Sequence, residues 1–248
     1  MPNSLAAPTV DAILLAAGNG DRFRDPQHRS KLLRDVQGRP LLVRTLVAAR
    51  DAGIETAHIV LGYAAREVRV ACERAAPAGL TLEFYVNEQW HLENGISALT
   101  TRGVVPDRFA VLMGDHVFDP AVLARMRHLD VPDGDSLLAI DVRLEDPARV
   151  EEATKVRTDG NRIIAIGKEL RDFDALDTGL FICHASVFDA LEEARRTGDT
   201  TLSGGIKRLA ASGRMRAMPI GDASWFDIDT PADLAAFEAA AVHDERVA

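Results

Sequence analysis

The run Val10-Asp11-Ala12-Ile13-Leu14-Leu15-Ala16 opens directly into Ala17-Gly18-Asn19-Gly20-Asp21-Arg22-Phe23, and Lys31 follows nine residues after Arg22. A run this apolar, unbroken from Ala12 to Ala16, predicts a strand buried on both faces, the signature of a parallel sheet. The glycines after it let backbone N–H groups approach an anion closely. Arg22 and Lys31 add the charge that N–H groups alone cannot supply. The stretch therefore predicts an α/β fold with a polyphosphate-binding loop on its first strand, against the plainer alternative of a strand-to-helix turn with surface cations.

Outward from this loop, strand-like and helix-like segments alternate. Thr56–Leu61, Thr81–Val86 and Phe109–Met113 read as strands. Pro40 starts a helix through Ala52 with Gly53 as its stop, and Ala64–Ala75 and Ile96–Arg102 read as further helices. The pattern implies a mostly parallel sheet with helices on both faces, whose ligands gather at the carboxyl ends of the strands. In the second half Ser136–Arg143 is a strand and Thr154–Ile166 a hairpin turning at Asp159-Gly160-Asn161. Leu180–Cys183 is another strand, and Pro231–Val242 is a closing helix capped by Thr230. One domain is expected over residues 1–248: a nucleotide-binding part at 10–130, an acceptor-binding part at 131–230 and a C-terminal helix at 231–248.

Composition narrows the function classes. Of the 248 residues 47% are hydrophobic and 27% charged, which is ordinary for a globular protein. The net charge of −9 argues against broad nucleic-acid binding, which needs a basic surface, but not against one nucleotide pocket. No signal peptide is expected in Met1–Thr9, and no stretch approaches the roughly 18 apolar residues of a membrane span. Cys72 and Cys183 lack ligand-like spacing and read as buried hydrophobes, so a cytoplasmic, reduced setting is expected.

Three carboxylates stand at predicted strand ends. Asp115 follows Val111-Leu112-Met113-Gly114. In Trp225-Phe226-Asp227-Ile228-Asp229-Thr230-Pro231 the spacing of two puts Asp227 and Asp229 on one face of an extended segment and Ile228 on the other. Converging on Asp115, they would form an oxygen-rich Mg²⁺ site with room for phosphate. Taken singly, each is equally a capping or solvated aspartate. His116 is next in line to touch substrate or to support Asp115. Asn94-Gly95-Ile96-Ser97 opens a helix that either reads a base edge or caps itself. Lys155, Lys168 and Asp177 are candidates for holding an acceptor. A dinucleotide-binding reading needs a glycine where Phe23 stands and an acid where Gly62-Tyr63 stands, so a dehydrogenase is the weaker alternative. A nucleotide-sensing module without chemistry is a third.

These motifs, together with Gly114-Asp115-His116-Val117-Phe118-Asp119-Pro120, Glu152-Ala153-Thr154-Lys155-Val156, Ile166-Gly167-Lys168-Glu169-Leu170 and Asp177-Thr178-Gly179-Leu180-Phe181, resemble the nucleotidyltransferases that make nucleoside-diphosphate sugars and alcohols. Within them the likeness is nearest to the CTP:inositol-1-phosphate cytidylyltransferases and covers nearly the whole chain. The resemblance implies a single-domain, Rossmann-like three-layer sandwich with a mostly parallel mixed sheet. It also implies Mg²⁺-dependent transfer of CMP from CTP to a phosphomonoester, with inositol or another polyol phosphate as the acceptor. Phosphonates, amino-alcohol phosphates and sugar 1-phosphates are the alternatives. By the same resemblance Arg22 and Lys31 are catalytic, and Ala16, Ala17, Gly18, Asn19, Gly20, Asn94, Gly95, Ser97 and Gly114 bind nucleotide. Asp115 and Asp229 hold the metal with Asp227 as second choice, while His116, Lys155, Lys168 and Asp177 face the acceptor. No nucleic-acid or membrane partner is implied, and a homodimer is allowed. The family usually has proline before the loop lysine. Here Ser30 takes that place, which predicts a less restrained Lys31.

Overall fold

The computed structural model describes residues 10–20, 23 and 30–241. Strand β1 (Asp11–Ala16) sits where its apolar composition requires, between two parallel neighbours, β4 (Thr56–Leu61) and β6 (Arg108–Met113). Leu15 lies opposite Val60 on one side and Met113 on the other. Strand β5 (Thr81–Val86) extends the parallel half beyond β4. Two short pieces, β2 (Asp35–Val36) and β3 (Arg39–Pro40), form a separate hairpin before helix α1 (Leu41–Asp51).

The other half of the sheet is mixed. Its strands are β8 (Ser136–Asp141), β9 (Lys155–Asp159), β10 (Arg162–Gly167), β11 (Ala175–His184) and β12 (Met215–Pro219). The full order is β5-β4-β1-β6-β11-β8-β12-β10-β9. Strand β11 runs antiparallel to both β6 and β8, and its first residues also pair with β9. The strands β11, β8, β12, β10 and β9 thus close into a ring beside the open parallel half.

Helices cover both faces. Helices α1, α2 (Ala65–Ala75) and α4 (Pro120–His128) pack one core around Leu14, Leu46, Ile59 and Leu112. Helices α3 (Asn94–Leu99), α6 (Ser186–Arg196) and α7 (Leu202–Ala211) pack the other around Ile13, Phe109, Phe181 and Ile206. The result is the three-layer sandwich expected of alternating β and α segments. Local signals set the helix starts. Asp119 accepts from Ala121 N–H at 2.9 Å ahead of Pro120, and Thr201 accepts from Gly204 N–H at 2.9 Å.

The strand expected over Ser136–Arg143 ends at Asp141, because that carboxylate turns inward to take the Arg143 side chain. The helix expected over Ile96–Arg102 is Asn94–Leu99. The strand expected over Leu180–Cys183 is longer, Ala175–His184, and takes in Asp177-Thr178-Gly179. The closing helix, α8 (Pro231–Ala241), is capped as expected: Asp233 N–H donates to Thr230 Oγ1 at 3.3 Å and Thr230 N–H donates back to Asp233 at 2.6 Å. Among the described residues no helix is long and apolar enough to cross a membrane.

Candidate active site

The register of β1 and β6 puts their following loops side by side at the carboxyl edge of the sheet. Gly114 N–H donates to Leu15 O at 3.0 Å, fastening the second loop to the end of the first strand. Ala16 and Ala17 are buried there, whereas Gly18 is exposed with open space around its Cα. Gly20 has φ +64°, and a Cβ on it would meet Lys31 Cγ at 2.8 Å. The lysine stem therefore lies along the glycine, which fixes where the ammonium goes. Asp21 and Arg22 lie outside the described residues.

A two-strand ladder completes the site. Strand β7 (His116–Phe118) pairs antiparallel with β13 (Trp225–Asp227), with His116 directly opposite Asp227. Ile228 N–H donates to Asp115 O at 3.1 Å, and the Ile228 side chain is buried with Val117, Leu41 and Phe237. That burial, worth about 1.5–3 kcal/mol for a large aliphatic side chain, turns Asp227 and Asp229 to the opposite side, as their spacing of two predicts. Thr45, from α1, supports the β6–β7 turn by donating to His116 O at 3.0 Å.

The side chains of Lys31, Asp115, His116, Asp227 and Asp229 come together. Lys31 Nζ lies 2.7 Å from Asp115 Oδ2 and also donates to Asp229 Oδ1. His116 Nδ1 is 3.0 Å from Asp115 and 3.7 Å from Asp227. Burial alone would lower the lysine pKa, but the two carboxylates outweigh it and hold the ammonium firmly protonated. Burial likewise opposes ionisation of Asp115, yet Lys31 and His116 hold its carboxyl well below the usual range. His116, desolvated but facing Asp227 and Asp115, is pushed up to about 9 and is an imidazolium at neutral pH. Asp227, whose side chain is 43% exposed, is raised to about 6 by partial desolvation and the neighbouring acids. Asp177 is raised to about 6 by burial, its carboxylate accepting from Gly179 N–H at 2.8 Å.

Ser30 departs from the expectation of a less restrained lysine. It is buried, its φ of −57° falls in the range proline would impose, and its hydroxyl accepts from Leu32 N–H at 3.3 Å. The side-chain cap supplies the restraint, and Lys31 is held between carboxylates.

A cavity of about 520 Å³ opens beside this cluster, walled by His116, Lys168, Asp177, Arg149, Trp225 and Asp227 among others. Asn94 also reaches it, although its Oδ1 accepts from Leu202 N–H at 2.9 Å and so caps α7. Gly95 packs against the backbone of Thr200 and Thr201, and Ser97 is buried with its hydroxyl accepting from Asn87. Lys155 donates to Glu151 O at 2.8 Å and is 9% exposed. A second hollow, between α2 and β5, is lined by Arg69, Leu80 and Phe84 and lies away from this chemistry.

Residues not singled out by sequence form one wall of the cavity. Asp141 is wholly buried, accepting from Arg143 at 2.8 and 2.9 Å and from Trp225 Nε1 at 2.8 Å. The Trp225 ring stacks beside His116 with centroids 6.4 Å apart. Arg149, on the short helix α5 (Pro147–Glu152), lies over Trp225. A lone tryptophan next to Phe226-Asp227 was the available signal. The partnership with Asp141 joins distant segments and leaves no local pattern.

The model of the MobA-like NTP transferase domain matches residues 12–213. The chain belongs to that family. It is a nucleotidyltransferase, with the glycine loop, Lys31 and the strand-end aspartates assembled at one edge of the sheet. It is 37% identical to the bifunctional IPC transferase and DIPP synthase of Rubrobacter xylanophilus, over 91% of this chain and 50% of that protein. It is 30% identical to the CMP-5'-(3-aminopropyl)phosphonate synthase of Streptomyces rubellomurinus, over 92% of this chain and 38% of that protein. The chain spans about half the length or less of these curated relatives. The solved inositol-1-phosphate CTP transferase from T. maritima superposes with a TM-score of 0.80 at 25% identity, covering 91% of each chain. The single-domain, nucleotide-diphospho-sugar transferase type of fold expected from sequence is thus the fold observed.

Proposed function

We propose that this chain transfers CMP from CTP to the phosphate of a small polyol, with inositol 1-phosphate as the leading acceptor, releasing a CDP-alcohol and pyrophosphate. The observation that carries the reading is the convergence of Lys31 with Asp115 and Asp229, the last of which lines a cavity of about 520 Å³, room for a sugar-like acceptor. The names of the similar proteins support the base and the acceptor class: an IPC transferase and an inositol-1-phosphate CTP transferase. The phosphonate synthase keeps a phosphonate as the second acceptor class.

A phosphate monoester is largely dianionic at neutral pH, its second pKa being about 6, so attack on the α-phosphorus needs no dedicated base. What remains is positioning and charge stabilisation. The backbone of exposed Gly18 and half-buried Gly20, with Arg22, holds the triphosphate, and Lys31 faces the oxygens that gain charge. Asn94, Gly95 and Ser97 bound the base side, Ser97 by shaping the helix rather than by contact. His116, Lys168 and Asp177 face the acceptor, and Lys155 steadies the segment behind it.

The donor set fits a hard divalent ion: the carboxylates of Asp115, Asp227 and Asp229 supply oxygen ligands and outnumber the two cations, Lys31 and His116, that face them. Asp115 and Asp229 would hold Mg²⁺, with Asp227 next. Bound there, Mg²⁺ supplies charge neutralisation on the phosphates. The two cysteines are free and buried, which suits a reduced cytoplasmic setting. The test is pyrophosphate release with Mg²⁺, crossing five nucleoside triphosphates with polyol phosphates, sugar 1-phosphates and phosphonates. Release confined to CTP with a polyol phosphate is expected. Release with another acceptor would keep the chemistry and discard the polyol, and nucleotide binding without release would make the chain a sensor.

A further inference from the structure

The cavity wall holds an aromatic cation site that is already filled. The Arg149 guanidinium carbon lies 5.5 Å from the Trp225 ring centroid and 6.0 Å from that of Phe226, the range of cation–π attraction. Its Nη1 lies 3.5 Å from Asp141 Oδ2. The indole cannot turn away from it, because Trp225 is 6% exposed with its N–H bonded to Asp141. Two aromatic faces backed by a carboxylate are what would recognise an ammonium headgroup, and here the chain supplies the cation itself.

We propose that Arg149 sets acceptor specificity by occupying these faces, so that the far end of the acceptor is neutral and hydroxylated rather than cationic. This rests on the transferase reading above and adds which phosphomonoesters the site refuses. The remaining wall suits hydroxyls: Glu152, Asp177, Thr154 and Asp146 offer oxygen acceptors around the same cavity. Those carboxylates would attract an ammonium too, so the discrimination falls to Arg149. It removes the aromatic contact and adds like-charge repulsion, the repulsive element that specificity commonly requires. Asp141 is a positioning residue in this scheme, acting only through Trp225 and Arg149.

The experiment compares kcat/KM for inositol 1-phosphate and for phosphocholine, with CTP and Mg²⁺, in the wild-type chain, Arg149→Ala and Arg149→Lys. Arg149→Ala should shift the ratio toward phosphocholine by about ten-fold, the size of a partly desolvated cation–π contact. Arg149→Lys, which keeps a cation at the rings, should stay near the wild type. Titration calorimetry with phosphocholine should detect binding to Arg149→Ala that the wild type lacks. A purely structural role would weaken both acceptors alike and leave the ratio unmoved. A shift below about five-fold in Arg149→Ala, or a wild type that already prefers phosphocholine, overturns the proposal while leaving nucleotidyl transfer standing. A wild type that releases no pyrophosphate with any acceptor fails the transferase reading itself, and this inference with it.

Discussion

Lys31 and Asp115 face each other across 2.7 Å, the lysine side chain only 8% exposed. The pair brings together the loop after β1, which sequence alone marks as phosphate-binding, and the turn after β6, which it marks as metal-binding. Replacing either removes a group placed where charge develops, so Lys31→Ala and Asp115→Ala should each lower turnover by roughly two orders of magnitude or more. Pyrophosphate release at saturating nucleotide checks this. Near-normal turnover in both would sink the assignment.

The same pair predicts an unusual response to chelation. Lys31 and His116 already partner the aspartates, so the fold does not depend on a metal to relieve their repulsion. EDTA should abolish turnover, and Mg²⁺ should restore it. The thermal midpoint should move by less than about 4 °C, the equivalent of about 1 kcal/mol in a chain of this size. A larger fall on chelation would mean that a bound ion holds the structure together.

Gly179 has φ +74°, and a Cβ on it would stand 2.6 Å from the His116 ring. Gly179→Ala therefore adds backbone strain of about 1–3 kcal/mol and pushes the imidazole off Asp115. Urea unfolding should register the first effect. Steady-state kinetics should register the second as a fall of up to about 100-fold. Gly160→Ala is the control: its φ is +59° in the β9–β10 hairpin with open space around it, so it should lose stability and keep activity.

Asp141 carries the wall behind the acceptor, and its charge is fully buried between Arg143 and Trp225. Asp141→Asn should cost about 1–3 kcal/mol, the loss of charge-assisted hydrogen bonds at a buried acceptor whose partner Arg143 is 38% exposed and stays hydrated. Burial disfavours its ionisation, but the Arg143 and Trp225 hydrogen bonds more than compensate and hold the carboxyl below its ordinary value. Its stabilisation is thus complete above the unfolded pKa of about 3.9 and drains away as pH falls through the lower folded value. Urea midpoints should show a constant gap between wild type and variant from pH 6 to 8 and a narrowing one in acid. A gap that widened in acid would contradict the pairing.

The parallel half of the fold was legible because its strands are apolar runs bounded by clear helix starts, and because Asp227-Ile228-Asp229 states its own facing through period two. The closed ring of β8–β12 was not legible. Strand β11 serves three neighbours by bending at Gly179, and no local period announces a bend. The base side was half-legible: Asn94 and Ser97 were marked as a helix opening, but whether such residues read a ligand or cap a helix depends on Leu202 and Asn87. Trp225, Arg149 and Asp141 escaped because a buried polar network is written in three separated segments. Each of them alone resembles an ordinary strand end or helix turn.

Lys31 and Asp229 stand 198 residues apart along the chain yet share a hydrogen bond. Strand β13, which ends at Asp227 two residues before Asp229, pairs among the described residues only with β7, and both acids come after every strand of the main sheet. A chain cut before Trp225 keeps the residues of the glycine loop and the parallel strands but lacks the acids that complete the cluster. Such a fragment is silent rather than half-competent, and a triphosphate that enters its open loop leaves again uncut.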